Sequence, residues 1–160
     1  MQDATFHFNA GSEADTERLG KALAEALPGG CAVALVGPLG AGKTRLVQAL
    51  AAAAGVDRRD VVSPTFVLLH EYQGAVPIYH FDAYRLRDDD EFLQLGADEY
   101  FAGRGWVLVE WADRVARCLP AEYLSIVIHL GSGTARTFEI TARGIALRAA
   151  LERLAAALTS

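Results

Sequence analysis

The 160-residue chain carries 52% hydrophobic and 22% charged residues, the balance of one ordinary globular domain over residues 1–160. A net charge of −5 argues against broad electrostatic binding to nucleic acid, though it leaves room for a local basic patch. No apolar run approaches the roughly 18–20 residues of a membrane span, and the opening MQDATFHFNAGSE has neither the basic region nor the apolar core of a secretion signal, so a cytoplasmic chain with no membrane attachment is expected.

In chain order, Thr5–Phe8 suits a short strand. Ser12 then opens a helix, with Asp15 three residues on as the capping-box partner. Leu19, Ala22, Leu23, Ala26 and Leu27 recur at helical spacing, and Pro28-Gly29-Gly30 ends the pattern. Cys31–Val36 is a short apolar run that reads as a buried strand. A glycine-rich segment follows, and Lys43–Ala54 is helical in pattern. Phe66–Tyr72 and Pro77–Phe81 read as strands joined by Gln73-Gly74-Ala75-Val76, too short a link for a parallel crossover and therefore an antiparallel hairpin. The acidic run Asp88-Asp89-Asp90-Glu91 starts a helix, where negative charge suits the dipole. Trp106–Val109 is a further apolar strand ending at Glu110. Ser125–Leu130 and Thr137–Thr141 are the last strands, with Gly131-Ser132-Gly133 between them, and Leu147, Leu151, Leu154 and Leu158 mark the last helix. The sum is an α/β domain with a mixed parallel/antiparallel sheet flanked by helices. Cys31 and Cys118 form no CxxC and no zinc-ligand spacing, and two reduced core thiols are expected.

Gly37-Pro38-Leu39-Gly40-Ala41-Gly42-Lys43-Thr44 fits GxxxxGK[ST] between an apolar strand and a helix. A triphosphate needs several donors at once, which a loop supplies by turning its backbone N–H groups inward. Glycines allow that conformation, and the helix that follows adds its positive end. Gly37, Leu39, Gly40, Ala41, Gly42, Lys43, Thr44 and the next residue, Arg45, are the expected nucleotide contacts. Lys43 is expected at the β- and γ-phosphates and Thr44 at Mg2+. Such a P-loop also needs a carboxylate at a strand end near the metal. Two residues qualify, Glu110 after Trp106–Val109 and Asp82 after Ile78–Phe81. One would hold the metal, directly or through water, and the other orient or deprotonate the attacking water, in either assignment. Ser63-Pro64-Thr65-Phe66 is either a switch-like loop whose Thr65 senses the γ-phosphate or a plain turn. Trp111 either stacks on the base or packs. His80 suits packing or a local hydrogen bond better than metal ligation.

GPLGAGKT at 37–44, SPTF at 63–66, HFDAYRL at 80–86 and VEWADR at 109–114 together resemble the TsaE family, formerly YjeE, in order across most of the chain. The resemblance implies a P-loop NTPase fold with a mixed sheet, and slow ATP hydrolysis with Mg2+. It also implies work with two partners, TsaB and TsaD, in threonylcarbamoyladenosine (t6A) modification of tRNA. In that scheme TsaD carries the transfer chemistry and tRNA is met only through the complex. By position, Lys43 binds phosphate, Thr44 binds Mg2+, Glu110 is the magnesium-side acid and Asp82 the second essential acid. Thr65 falls in the switch-like loop and Trp111 at the residue near the adenine. Ser12, Thr16 and Arg136 are candidates for closing the base pocket. Pro38 stands where the family usually has an acid and lacks an N–H, and Arg45 stands where a second threonine is common. The main rival is a small-molecule P-loop kinase, for which no separate acceptor motif is found. A GTPase lacks its NKxD stretch here, and a non-catalytic nucleotide sensor would bind without turnover.

Overall fold

The structure, a computed structural model, describes residues 3–61 and 68–159. Seven strands form one sheet in the order β1-β7-β6-β2-β5-β4-β3. They are β1 Ala4–Ala10, β2 Ala32–Val36, β3 Leu69–Gln73, β4 Pro77–Asp82, β5 Trp106–Glu110, β6 Tyr123–Leu130 and β7 Arg136–Arg143. The centre, β6-β2-β5-β4, is parallel. Both flanks are antiparallel, β1 and β7 on one side and β3 on the other. The mixed sheet expected from the hairpin is therefore present, and β3 and β4 pair antiparallel with Gln73 opposite Pro77. Strand β3 begins at Leu69; Leu68 is outside it, and Phe66 and Val67 lie outside the described residues.

The helices are α1 Glu13–Ala26, α2 Lys43–Ala53, α3 Asp89–Gln94, α4 Ala97–Phe101 and α5 Arg148–Thr159. Their apolar faces divide between the two sides of the sheet. Leu19, Leu23 and Ala26 of α1, Leu46, Val47 and Leu50 of α2, and Leu151 and Leu154 of α5 join alternate residues of the central strands in the larger core. Phe92 of α3, Ala97 of α4 and the 3-10 turn Ala112–Cys118 cover the opposite face in a smaller one, around Phe81, Val107 and Val109. Helices α1 and α2 meet closely because Gly20 has no side chain. A Cβ there would lie 2.8 Å from the Leu50 backbone nitrogen.

Local chemistry sets the helix starts. Ser12 is the N-cap of α1, but its hydroxyl makes no cap bond. Asp15 instead accepts from the Gly11 N–H at 2.9 Å, one residue upstream of the expected capping box. Asp88 caps α3 as its acidic run suggests, accepting from the Glu91 N–H at 3.0 Å. Helix α4 and the 112–118 turn carry no signal in the sequence reading; each is too short for a periodic stripe. Both cysteines are free. Cys31 is buried, which pushes its thiol up to about 12, whereas Cys118 is only half-buried rather than a core residue. No helix among the described residues is long and apolar enough to cross a membrane.

Candidate functional site

Parallel strands β2, β4 and β5 end on the same edge of the sheet, which is where open α/β sheets bind ligands. The glycine-rich loop leaves β2 there and runs into α2. Gly40 and Gly42 hold φ of 80° and 101°, a left-handed backbone that L side chains rarely adopt. Two bonds hold the Ala41 peptide between them. Its N–H donates to the Pro38 carbonyl at 3.0 Å, and its carbonyl accepts from Arg136 Nε at 3.2 Å. The Ala41 N–H is thus used inside the loop, while the first N–H groups of α2 have no partner within the helix and are donors that an anion could meet.

The Lys43 ammonium donates to the carbonyls of Gly37 at 2.7 Å and Pro38 at 3.0 Å. The side chain is buried, 4% exposed. Burial pulls its pKa below the usual lysine range, against the opposing attraction of Glu110, Asp82 and Asp113. The Trp111 ring lies over it, 4.0 Å from Nζ to the ring centroid. Trp111 has φ 59° and ψ 39°, the single left-handed non-glycine among the described residues. That turn of the backbone directly after β5 swings the indole back over the loop. Tyr84 packs against the same ring, 4.7 Å between centroids.

Asp82 and Glu110 are register partners across β4 and β5, so their side chains share one face of the sheet. Both are buried. The Thr44 hydroxyl donates to the Glu110 carboxylate, at 2.9 and 3.1 Å from its two oxygens. With its proton directed to Glu110, the threonine oxygen keeps its lone pairs for a cation. Asp82 Oδ1 accepts from the Tyr84 N–H at 2.8 Å. Among the described residues no group of three or more His, Cys, Asp or Glu is arranged to hold a metal unaided. One hydroxyl and one or two carboxylates nevertheless fit Mg2+, which is typically held by few protein oxygens together with phosphates and water.

A cleft of about 290 Å³ is lined by Leu39–Arg45, Asp82, Tyr84, Glu110 and Trp111. A second, of about 170 Å³, lies on the other side of Gly40–Gly42 and is lined by Ser12, Thr16, Arg45 and Arg136 together with Thr134 and Phe138. The structure thus brings Ser12, Thr16 and Arg136 together, as the base-pocket candidates require, and puts Trp111 with the phosphate-side residues instead. The residues expected together around one base pocket thus line two clefts, one on each side of the loop. Arg45 borders both clefts and pairs with Glu13 at 2.9 Å. Leu39, at the loop tip, is 78% exposed. Thr65, with the rest of the 62–67 segment, lies outside the described residues. A groove of about 650 Å³ between α1, α2 and the hairpin loop contains none of the expected site residues. Sequence reading passed over Tyr84 and Tyr72. The alternation His80, Asp82 on β4 was the available signal that more than one polar side chain faces the loop from that strand.

Residues 10–138 match the family described as "Threonylcarbamoyl adenosine biosynthesis protein TsaE". The chain belongs to the TsaE family. It is 42% identical over 131 residues to the tRNA threonylcarbamoyladenosine biosynthesis protein TsaE of Bacillus subtilis (strain 168), a match that covers 81% of each chain. It is 40% identical to the protein of the same name from Treponema pallidum (strain Nichols), covering 74% of this chain and 87% of that one. The Mycobacterium leprae (strain TN) protein is 43% identical, with 70% and 74% covered. Among solved structures, Bacillus subtilis YdiB superposes with a TM-score of 0.85 at 32% identity, over 98% of this chain and 97% of that chain. With that neighbour, the P-loop NTPase fold inferred from the sequence stands.

Proposed function

We propose that the chain is a cytoplasmic Mg2+-dependent ATPase that binds ATP on Gly37–Thr44 and hydrolyses it in support of tRNA t6A synthesis, in complex with TsaB and TsaD. The observation that carries the reading is the Thr44–Glu110 pair at the head of the loop helix, with Asp82 in register beside it. That is a metal-side hydroxyl, its carboxylate and a second acid in one cleft. The partners and the tRNA pathway rest on family membership.

Each residue then has a task. Lys43 exchanges the Gly37 and Pro38 carbonyls for phosphate oxygens, which are stronger acceptors because they are charged. Thr44 and Glu110 are the residues that would hold Mg2+, which when bound neutralises charge on the β- and γ-phosphates. Asp82, fixed by the Tyr84 N–H, orients a water in line with the γ-phosphorus. The new P–O bond forms from that water, the bond to the β–γ bridging oxygen breaks, and the water's proton passes to Asp82 or to the leaving phosphate.

The test is ATP turnover by the purified chain, alone and with its own TsaB and TsaD proteins. A marked rise with both partners is expected. Bound ATP with no turnover in any mixture would instead make the chain a nucleotide sensor. Transfer of the γ-phosphoryl to an added metabolite, independent of partners, would make it a kinase.

A further inference from the structure

Behind Glu110 the wall of the cleft contains a histidine to which the mechanism above gives no task. His80 is fully buried on β4. It lies two residues before Asp82 and therefore on the same face of the sheet. Its Nε2 is 2.5 Å from Glu110 Oε2. Its Nδ1 is 3.1 Å from the hydroxyl of Tyr72, itself buried on the neighbouring strand β3. An ionised carboxylate only accepts, so Nε2 is the donor to Glu110. In the tautomer with its proton on Nε2, Nδ1 is the acceptor and the Tyr72 hydroxyl donates to it. With both nitrogens engaged, the ring has one orientation. Glu110 is gripped by His80 on one oxygen, while Thr44 bridges both.

A histidine used only to fill space has no need of this geometry; a leucine would serve in an apolar wall. A carboxylate on the flexible stem of glutamate does need it, because it must face Thr44 at a fixed distance to serve a cation there. Strand pairing makes the arrangement rigid, since β3, β4 and β5 are consecutive in the sheet and each contributes one member of the chain.

We propose that His80, its tautomer set by Tyr72, is a positioning residue that holds the Glu110 carboxylate against Thr44 and thereby sets the divalent-cation affinity of the nucleotide complex. The assignment rests on the nucleotide-binding reading above. Partners one step behind a metal site are worth about 10–100-fold in metal affinity.

The probe is N-methylanthraniloyl ADP, titrated by fluorescence with Mn2+ and again in EDTA. The ratio of the two affinities reads how strongly the cation supports the nucleotide. His80→Leu is expected to lower that ratio about 10–100-fold while leaving the EDTA affinity in place. Tyr72→Phe is expected to lower it several-fold, by freeing the tautomer. His80→Gln, whose amide N–H can reach the position of Nε2, is expected to restore most of the loss. A native ratio in a folded His80→Leu protein overturns the assignment. So does a parallel fall in the EDTA affinity, which is the mark of a packing role, or a His80→Gln value no better than that of His80→Leu. If His80→Leu fails to fold, Tyr72→Phe and His80→Gln decide alone: a native ratio in the first or a collapsed one in the second overturns it. Thr44→Ala separates this inference from the reading beneath it. If Thr44→Ala keeps the native ratio, the cation is not held at Thr44 and both fall. If Thr44→Ala collapses the ratio while His80→Leu does not, only the His80 assignment falls.

Discussion

The two acids of the cleft share a strand register but not an environment. Glu110 receives the Thr44 hydroxyl and the His80 ring, whereas Asp82 receives a backbone N–H from Tyr84. That difference separates their expected phenotypes. Thr44→Ala should weaken only the Mg2+-dependent part of ATP binding, measured as the gap between titrations with Mg2+ and with EDTA. Asp82→Ala should keep binding yet reduce turnover by roughly 10²–10⁴-fold, the usual worth of a residue that positions or takes a proton. Normal hydrolysis by Asp82→Ala would remove its assigned role. Much of this was legible in the sequence, because a P-loop is a contiguous run and because acids at the ends of apolar strands arrive at one edge of a parallel sheet. The position of Trp111 was not legible. Its indole reaches Lys43 only because its own φ is positive, and no local pattern announces a tryptophan in that conformation. Nor does the sequence say that Ser12, Thr16 and Arg136, on β7 and near the start of α1, border a separate cleft from Trp111, since that depends on how three distant segments meet around Gly40–Gly42.

Among the elements, α1 governs how the loop helix is seated. Gly20 lets α1 approach the backbone of α2. Gly20→Ala would gain up to about 1 kcal/mol of helix propensity but would force the two helices apart, an overpacking that costs about 1–3 kcal/mol. A net fall in thermal midpoint of a few degrees is expected, about 2–4 °C per kcal/mol at this chain length. An unchanged or raised midpoint would show that the helices slide without strain. A second tie joins α1 to the 3-10 turn Arg58–Asp60 through Glu17 and Arg58, two parallel bonds of 2.6 Å each. The Arg58 hydrogen bonds hold the Glu17 carboxyl below its ordinary value of 4.5. Its stabilising contribution is therefore present above that value and is lost as pH falls through the lower folded one. The side chains are 39% and 47% exposed, so solvent screens the pair, and about 1 kcal/mol or less is expected. The difference in thermal midpoint between the native chain and Glu17→Gln should be full at pH 7 and vanish in acid. A difference that persisted below the folded value would show that the pairing is not its source. Element type was readable wherever a stripe or an apolar run was long enough, as in α1, α2, β2 and β5. It was not readable for α4, whose five residues complete little more than one turn. The pairing of β1 with β7 spans almost the whole chain and leaves no local trace.

The molecule as a whole is a sheet with unequal covers. One side carries three helices of 11 to 14 residues; the other carries α3, α4 and a 3-10 turn of five to seven residues each. The P-loop helix belongs to the heavier side, while Trp111 and Ala112 lead into the lighter one. Short elements bury little apolar surface each and open at lower free energy than long ones. Amide exchange should therefore be fastest, within the folded regions described, over α3, α4 and 112–118, and slowest in β2, β5 and β6; uniform protection of both covers would contradict this. Because the indole over Lys43 is anchored in the lighter cover, a partner that clamps that cover would also steady the nucleotide cleft without touching it. Such a partner would act by suppressing the local openings expected of that cover.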